Sequence, residues 1–255
     1  MTDPLACTIV IEDSIETLAR DAADAAATAL TASITARGAA NVMFASGLSQ
    51  LAFLDELTTR AAIDWTRVTG FHMDEYIGIP GTNPNSFARY MRERIVARVH
   101  PGTFHYLDGV ASDPAAECAR YGELVAQHPL DLCCLGIGEN GHLAFNDPPV
   151  ADFTDAYRVK IVALDDACKR QQVREGHFPT VDAVPPRAMT VTIPALLSAG
   201  TVLAIVPEVR KARAVRDALE GPVSTACPAS ILQQTAHATL YLDRDSASLL
   251  TSDHR

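Results

Sequence analysis

The chain has 255 residues, 48% of them hydrophobic and 20% charged, a composition that excludes a disordered protein and suffices for a full buried core. Its 31 acidic residues against 21 basic ones give a formal charge of −10, and Lys and Arg are scattered apart from Arg210, Lys211 and Arg213, which argues against a nucleic-acid surface. The start, MTDPLACTIVIEDS, lacks the basic residues and long apolar core of a secretory signal, and no apolar run reaches membrane-spanning length, so a cytoplasmic protein without a membrane partner is expected.

A short apolar strand is predicted over 8–11. Asp13 and Glu16 then have capping-box spacing ahead of an alanine-rich helix that runs to about Arg37. Residues 41–45 read as a strand, 46–50 as a turn and 51–59 as a helix. A strand over 65–71 leads into a long loop, 72–85, punctuated by Gly78, Pro80, Gly81 and Pro84. Helical spacing resumes over 86–99 and again over 113–126. The run Leu130, Leu132, Cys133, Cys134, Leu135 suits a strand covered on both faces, with the two adjacent thiols pointing to opposite sides. Beyond it, 157–162 reads as a strand, 165–174 as a helix or turn, and 188–193 as a strand before Pro194. Residues 201–206 form a strand feeding a helix over 209–219, followed by a short helix over 228–234 and a last strand over 238–242. This alternation predicts an α/β protein with a mostly parallel central sheet and helices on both faces, and no linker divides residues 1–255. The six cysteines are too dispersed for a metal knuckle or a redox pair and read as buried thiols.

In such a sheet, ligands sit outside the carboxyl ends of the strands, where loops distant in sequence converge. Three loops have that placement. The first, Ser46 to Gln50, offers Ser46, Gly47 and Ser49 ahead of a helix, either as donors to an anion or simply as helix caps. The second opens with Asp74 and Glu75 directly after an apolar strand. Extended neighbours point in opposite directions, so one of the pair meets a given ligand atom; Asp74 is taken as the proton-abstracting group, and Glu75 as an orienting, substrate-side or structural carboxylate. The third, Gly136 to Asp147, breaks at Gly136 and Gly138 so that the backbone can turn closely around a small ligand. It carries His142 for proton exchange, Asp147 to fix or charge the imidazole, and Asn140 to orient either. The remaining histidines show no ligand spacing around it, so no metal is expected.

The segments Phe71-His72-Met73-Asp74-Glu75-Tyr76-Ile77-Gly78 and Gly136-Ile137-Gly138-Glu139-Asn140-Gly141-His142-Leu143-Ala144-Phe145-Asn146-Asp147-Pro148, with the order of elements around them, resemble the glucosamine-6-phosphate deaminase/isomerase family and, more distantly, the 6-phosphogluconolactonases. The resemblance implies a modified Rossmann-like, three-layer fold acting on a phosphorylated amino sugar without a redox cofactor or metal. It makes Asp74 the enolising base and His142 the assistant to ring opening, with Asp147 and Asn140 completing the relay. Ser46, Gly47, Ser49, Glu75, Gly138 and Lys211 would contact substrate. Departures are also evident. The best-known deaminases carry aspartate where this chain has Asn140 and glutamate where it has Asp147. Their phosphate loop is richer in glycine and proline than Ala45-Ser46-Gly47-Leu48-Ser49-Gln50. Gln172 stands where the family supplies a phosphate-binding arginine, and a helix would aim Arg170 elsewhere. The family's longer allosteric C-terminal segment is missing, while self-association is left open.

Three functions compete at this level. A deaminase would use Asp74 over C2 of an amino sugar phosphate. A lactonase would use His142 to activate water for a phosphosugar lactone. A non-catalytic sugar-phosphate binding protein would account for Asn140 and the altered loop.

Overall fold

The computed structural model describes residues 5–251. Residues 1–4, part of the segment on which the reading of a missing leader rests, lie outside the described residues, as do the last four of the expected 1–255 unit. In chain order the elements are β1 (Thr8–Glu12), α1 (Ile15–Arg37), β2 (Ala40–Phe44), α2 (Leu51–Leu57), β3 (Val68–His72), β4 (Asp74–Tyr76) and α3 (Phe87–Met91). A π-helical turn, Arg92–Val96, joins α3 to α4 (Ala97–Val99). There follow β5 (Thr103–His105), α5 (Pro114–Gln127), β6 (Leu132–Leu135), β7 (Val159–Ala163), α6 (Asp166–Arg174), β8 (Arg187–Val191), α7 (Ile193–Leu197), β9 (Thr201–Val206), α8 (Ala212–Glu220) and β10 (Ala238–Asp243).

Seven strands form the central sheet in the order β1-β10-β9-β6-β2-β3-β5, all parallel, as expected from apolar strands alternating with helices. Side chains alternate across it with period two. Val42, Phe44, Leu132, Cys134, Leu203 and Ile205 pack on one face against α1 and α2; Met43, Cys133, Leu135, Val202, Ala204 and Val206 pack on the other against α5, α7 and α8. The two adjacent cysteines therefore divide between the faces. Helix α1 packs on the sheet through Leu18 and Leu30 with the small side chains of Ala22, Ala23, Ala26 and Ala27 between them. Its start corrects the expected cap by one residue: Ser14 accepts from the Thr17 amide, and the Thr17 hydroxyl accepts from the Ser14 amide at 3.1 Å, so Asp13 and Glu16 do not form the box.

Two strands were not anticipated. β5 is a three-residue edge strand, and β4 lies inside what reads as a long loop. β4 pairs antiparallel with β8, which pairs antiparallel with β7, giving a small second sheet above the carboxyl ends of the parallel strands. The chain runs outward from β2 to β3 and β5, then returns to β6 on the other side of β2. That reversal opens a crevice between the carboxyl ends of β2 and β6.

Candidate active site

The crevice holds a cleft open to solvent. Residues from all three anticipated loops line it: Ser46, Gly47 and Ser49 after β2, Asp74 in β4, and Gly138 and His142 after β6. Lys211 joins them from the turn after β9.

Asp74 begins β4 opposite Thr190 of β8, and its carboxyl is buried, with Oδ1 lacking any hydrogen-bond partner among the described residues. Burial first, then the charges of Glu75 and Asp147, push its pKa well above the ordinary carboxylate range. Glu75 faces the other way, as the extended geometry requires. It accepts from Ser86 Oγ at 2.6 Å and from the Ala88, Phe87 and Tyr76 amides at 2.9, 3.2 and 2.9 Å. The expectation of a substrate contact from Glu75 is thus corrected: its carboxylate is spent on the start of α3, away from the cleft lining.

His142 is held through Nδ1, which donates to Asn140 Oδ1 at 2.7 Å and lies 2.9 Å from Asp147 Oδ1. Asn140 Nδ2 donates to that same Asp147 oxygen at 2.8 Å, closing a three-member ring of contacts. Both Nδ1 partners are acceptors, so the proton sits on Nδ1 and Nε2 is left without a hydrogen-bond partner among the described residues. Burial would raise the pKa of Asp147, but the charge and hydrogen bond of His142, together with the Asn140 amide, hold it below the usual range. The relay therefore retains one ionised carboxylate, with Asn140 as its neutral brace.

The two glycines do something other than turn the chain through unusual dihedrals. Positive φ falls at Gly141 (82°) instead, while a Cβ on Gly138 would come within 2.2 Å of the His142 ring. Gly138 is the seat of the imidazole. Gly138→Ala is expected to displace the ring and lower kcat/KM about 100-fold while the protein still folds, because misplacement by about 1 Å costs that much. Steady-state kinetics paired with a melting curve test it, and wild-type activity in Gly138→Ala would overturn the seating.

The turn after β2 does not use its serines as caps: Gly47 starts the Leu48–Gln50 turn with φ 123° and no side-chain cap is made. Ser46 and Ser49 face the cleft instead. Gln50, unremarked in the sequence, ties this turn down by donating to Ile205 O of β9 at 3.1 Å. The turn after β9 is strained, with Glu208 at φ 83°, and delivers Lys211 into the cleft at 3% exposure. Burial lowers the Lys211 pKa, and the charge of Glu175 partly restores it.

Gln172, noted in the sequence as the residue at the family's arginine position, also lines the cleft, and with it Gln171, Glu175 and His177, which were given no role there. Gln172 accepts the Tyr76 hydroxyl at 2.8 Å, and Arg170 lines a separate depression, as the helix geometry predicts. Asn146 pins the third loop to β8, donating to Val191 O at 2.9 Å and to Leu143 O at 2.8 Å. Among the described residues one group of donors has the spacing to hold a metal ion: His142, Asp147 and Cys168 bring ligand atoms within 4.8 Å of one another. Burial and the Asp147 charge push the Cys168 thiol pKa well above its ordinary value.

A family model described as glucosamine-6-phosphate isomerases/6-phosphogluconolactonase matches residues 13–241. The chain is 36% identical over 231 residues to a glucosamine-6-phosphate deaminase of Arthrobacter sp. (strain FB24), covering 88% of this chain and 87% of that protein. Its fold matches the structure of a monomeric glucosamine-6-phosphate deaminase with TM-score 0.85 and 30% identity, over 95% of this chain and 99% of the other. A 6-phosphogluconolactonase from Shewanella baltica OS155 shares the fold at TM-score 0.78 and 20% identity, over 93% and 97% of the two chains.

Proposed function

The chain belongs to the glucosamine-6-phosphate isomerase/6-phosphogluconolactonase family, and from that premise we propose that it is an enzyme converting glucosamine 6-phosphate to fructose 6-phosphate and ammonia. The observation that carries this reading is Asp74: a buried carboxylate with a raised pKa and, among the described residues, a free oxygen and no cation beside it is a proton acceptor rather than a structural ion. His142, through Nε2, exchanges the proton needed to open the sugar ring, steadied by Asp147 and Asn140. Asp74 then takes the C2 proton and returns it to C1. The enolamine becomes an imine at C2, and water replaces nitrogen there, releasing ammonia. None of these steps requires hydride transfer.

Ser46, Gly47, Ser49 and Lys211 receive the substrate phosphate, with the hydroxyls and the loop backbone as donors and the ammonium as counter-charge. Replacing Lys211 with alanine is expected to raise KM for glucosamine 6-phosphate roughly 30-fold with kcat changed only a few-fold, since a charge-assisted hydrogen bond is worth about 1.5–3 kcal/mol. Equal KM values would remove Lys211 from the phosphate site. The reaction itself is tested by following ammonia and C2 proton exchange in deuterated water. A phosphosugar lactone opened without ammonia would favour the lactonase reading instead, and saturable binding without turnover would favour a binding protein.

We place the enzyme in the cytoplasm. No helix among the described residues is long and apolar enough to cross a membrane, and five of the six cysteines are buried as free thiols, which suits a reducing compartment. Residues 1–255 are read as one such domain.

A further inference from the structure

The far end of the cleft poses a charge problem. Lys211 is the one lysine or arginine lining it among the described residues, and the carboxylate of Glu175 lines it too. Arg210, behind the wall, is already shared: it reaches Glu175 Oε1 at 2.8 Å and also pairs with Glu208. Two fixed cations thus face two fixed anions. A phosphate dianion would enter a locally neutral pocket, whereas anion sites ordinarily present a surplus of positive charge. The position where the family resemblance places an arginine holds Gln172, whose carbonyl oxygen is occupied by Tyr76.

One more group at this end can become positive. His177 lines the same cleft, with its side chain 26% exposed and Nε2 3.5 Å from Glu175 Oε2. The charged group against it is Glu175 on its own segment; linked to it through Glu175 are Arg210 and Lys211 on the turn before α8, with Glu208 beside them and Glu139, paired with Arg174, on the loop after β6. Asp74 and His142 line the cleft as well. Glu175 is fully ionised near neutrality: burial alone would raise its pKa, but the His177 hydrogen bond, the charges of Lys211 and Arg210 and the Gln171 amide bring it down to about 2. It therefore offers His177 a permanent negative partner.

We infer that His177 is the second cation of the phosphate subsite: on binding a phosphorylated sugar, the imidazole takes up a proton and joins Lys211 in holding the phosphate. This rests on the reading of the substrate as a sugar phosphate. The physical reason is linkage. A dianion arriving beside Lys211 and Glu175 favours the charged imidazole, so binding and protonation strengthen each other. A guanidinium would give the same attraction at every pH; here the attraction is graded.

The experiment uses glucitol 6-phosphate, which has no carbonyl and cannot turn over, and unphosphorylated glucitol as its control. Titration calorimetry near pH 7, in two buffers of different ionisation enthalpy, should show net proton uptake when wild type binds glucitol 6-phosphate. His177→Gln should lose that uptake. Its affinity should drop about tenfold near pH 6 and remain close to wild type near pH 8.5. His177→Arg should bind tightly at both pH values, which guards against a variant that has merely lost its fold. The titration of the phosphate itself is common to all three proteins and cancels in the comparison. If His177→Gln matches wild type at both pH values, or keeps the proton uptake, the role of His177 is overturned. If wild type binds glucitol as tightly as glucitol 6-phosphate, the sugar-phosphate reading fails first, a result that the histidine variants alone cannot produce.

Discussion

Asp74→Asn is expected to lower turnover of glucosamine 6-phosphate by roughly 10³- to 10⁴-fold and to abolish exchange of the C2 proton with deuterated solvent, because the substitution keeps the shape of the side chain and removes its capacity to accept a proton. The wild-type enzyme should also lose kcat/KM on the acid side at a pH above the ordinary carboxylate range, since the base works only when ionised and its burial, with Glu75 and Asp147 nearby, holds its pKa up. The same feature predicts a gain in stability. A carboxyl whose pKa is higher folded than unfolded binds more protons in the folded state, so it costs stability as pH rises through that window. Removing it should raise Tm by roughly 2–8 °C at pH 8, an ordinary exchange of activity for stability at a strained site. The gain should vanish at acid pH, where the carboxyl is protonated in both states. Retained deamination in Asp74→Asn, or a lower Tm at pH 8, would end the assignment of Asp74 as the base.

His142→Gln is expected to cut kcat/KM on the cyclic substrate by about 10²- to 10³-fold, the scale of a lost general acid-base catalyst. The loss should be several-fold at most on an analogue that cannot close its pyranose ring, such as the 5-deoxy sugar phosphate, because enolisation by Asp74 remains intact. Equal losses on the two substrates would show that the imidazole serves the proton transfer itself and not ring opening. The Asn140 brace should soften, but not abolish, the effect of Asp147 loss, since Nδ1 keeps one acceptor at 2.7 Å.

The central sheet was legible because strands such as β6 and β9 are apolar on both faces, a pattern that parallel packing between two helical layers demands and little else tolerates. The loops that line the cleft were legible for a related reason: their polar residues stand immediately after those strands, where the fold must present them. β4 was not, because three residues following His72 and Met73 carry too little periodicity, and their partner in β8 lies more than 100 residues away. β5 is as short and sits at an edge. Glu175 and His177 escaped notice because polar residues after a helix ordinarily meet solvent; only the docking of α6 over the cleft turns them inward. Of the roles open to Glu75 in the sequence, the substrate-side one gives way to the structural one, because the α3 amides claim its carboxylate.

The pairing of β1 with β10 has a consequence for how the molecule is made. Of the described strands, the earliest in the chain hydrogen-bonds along its whole length to the latest, in register from Thr8 with Thr239 to Glu12 with Asp243. At ribosomal speeds of about 5–20 residues per second, β1 and its helix α1 wait roughly 10–50 s for that edge to arrive. During this interval the half of the sheet built on β2, β3, β5 and β6 can assemble, while one flank of β6 stays open until β9 emerges. A nascent chain of this protein is thus an unfinished sheet with an adhesive border, which passes from β6 to β9 before β10 covers it.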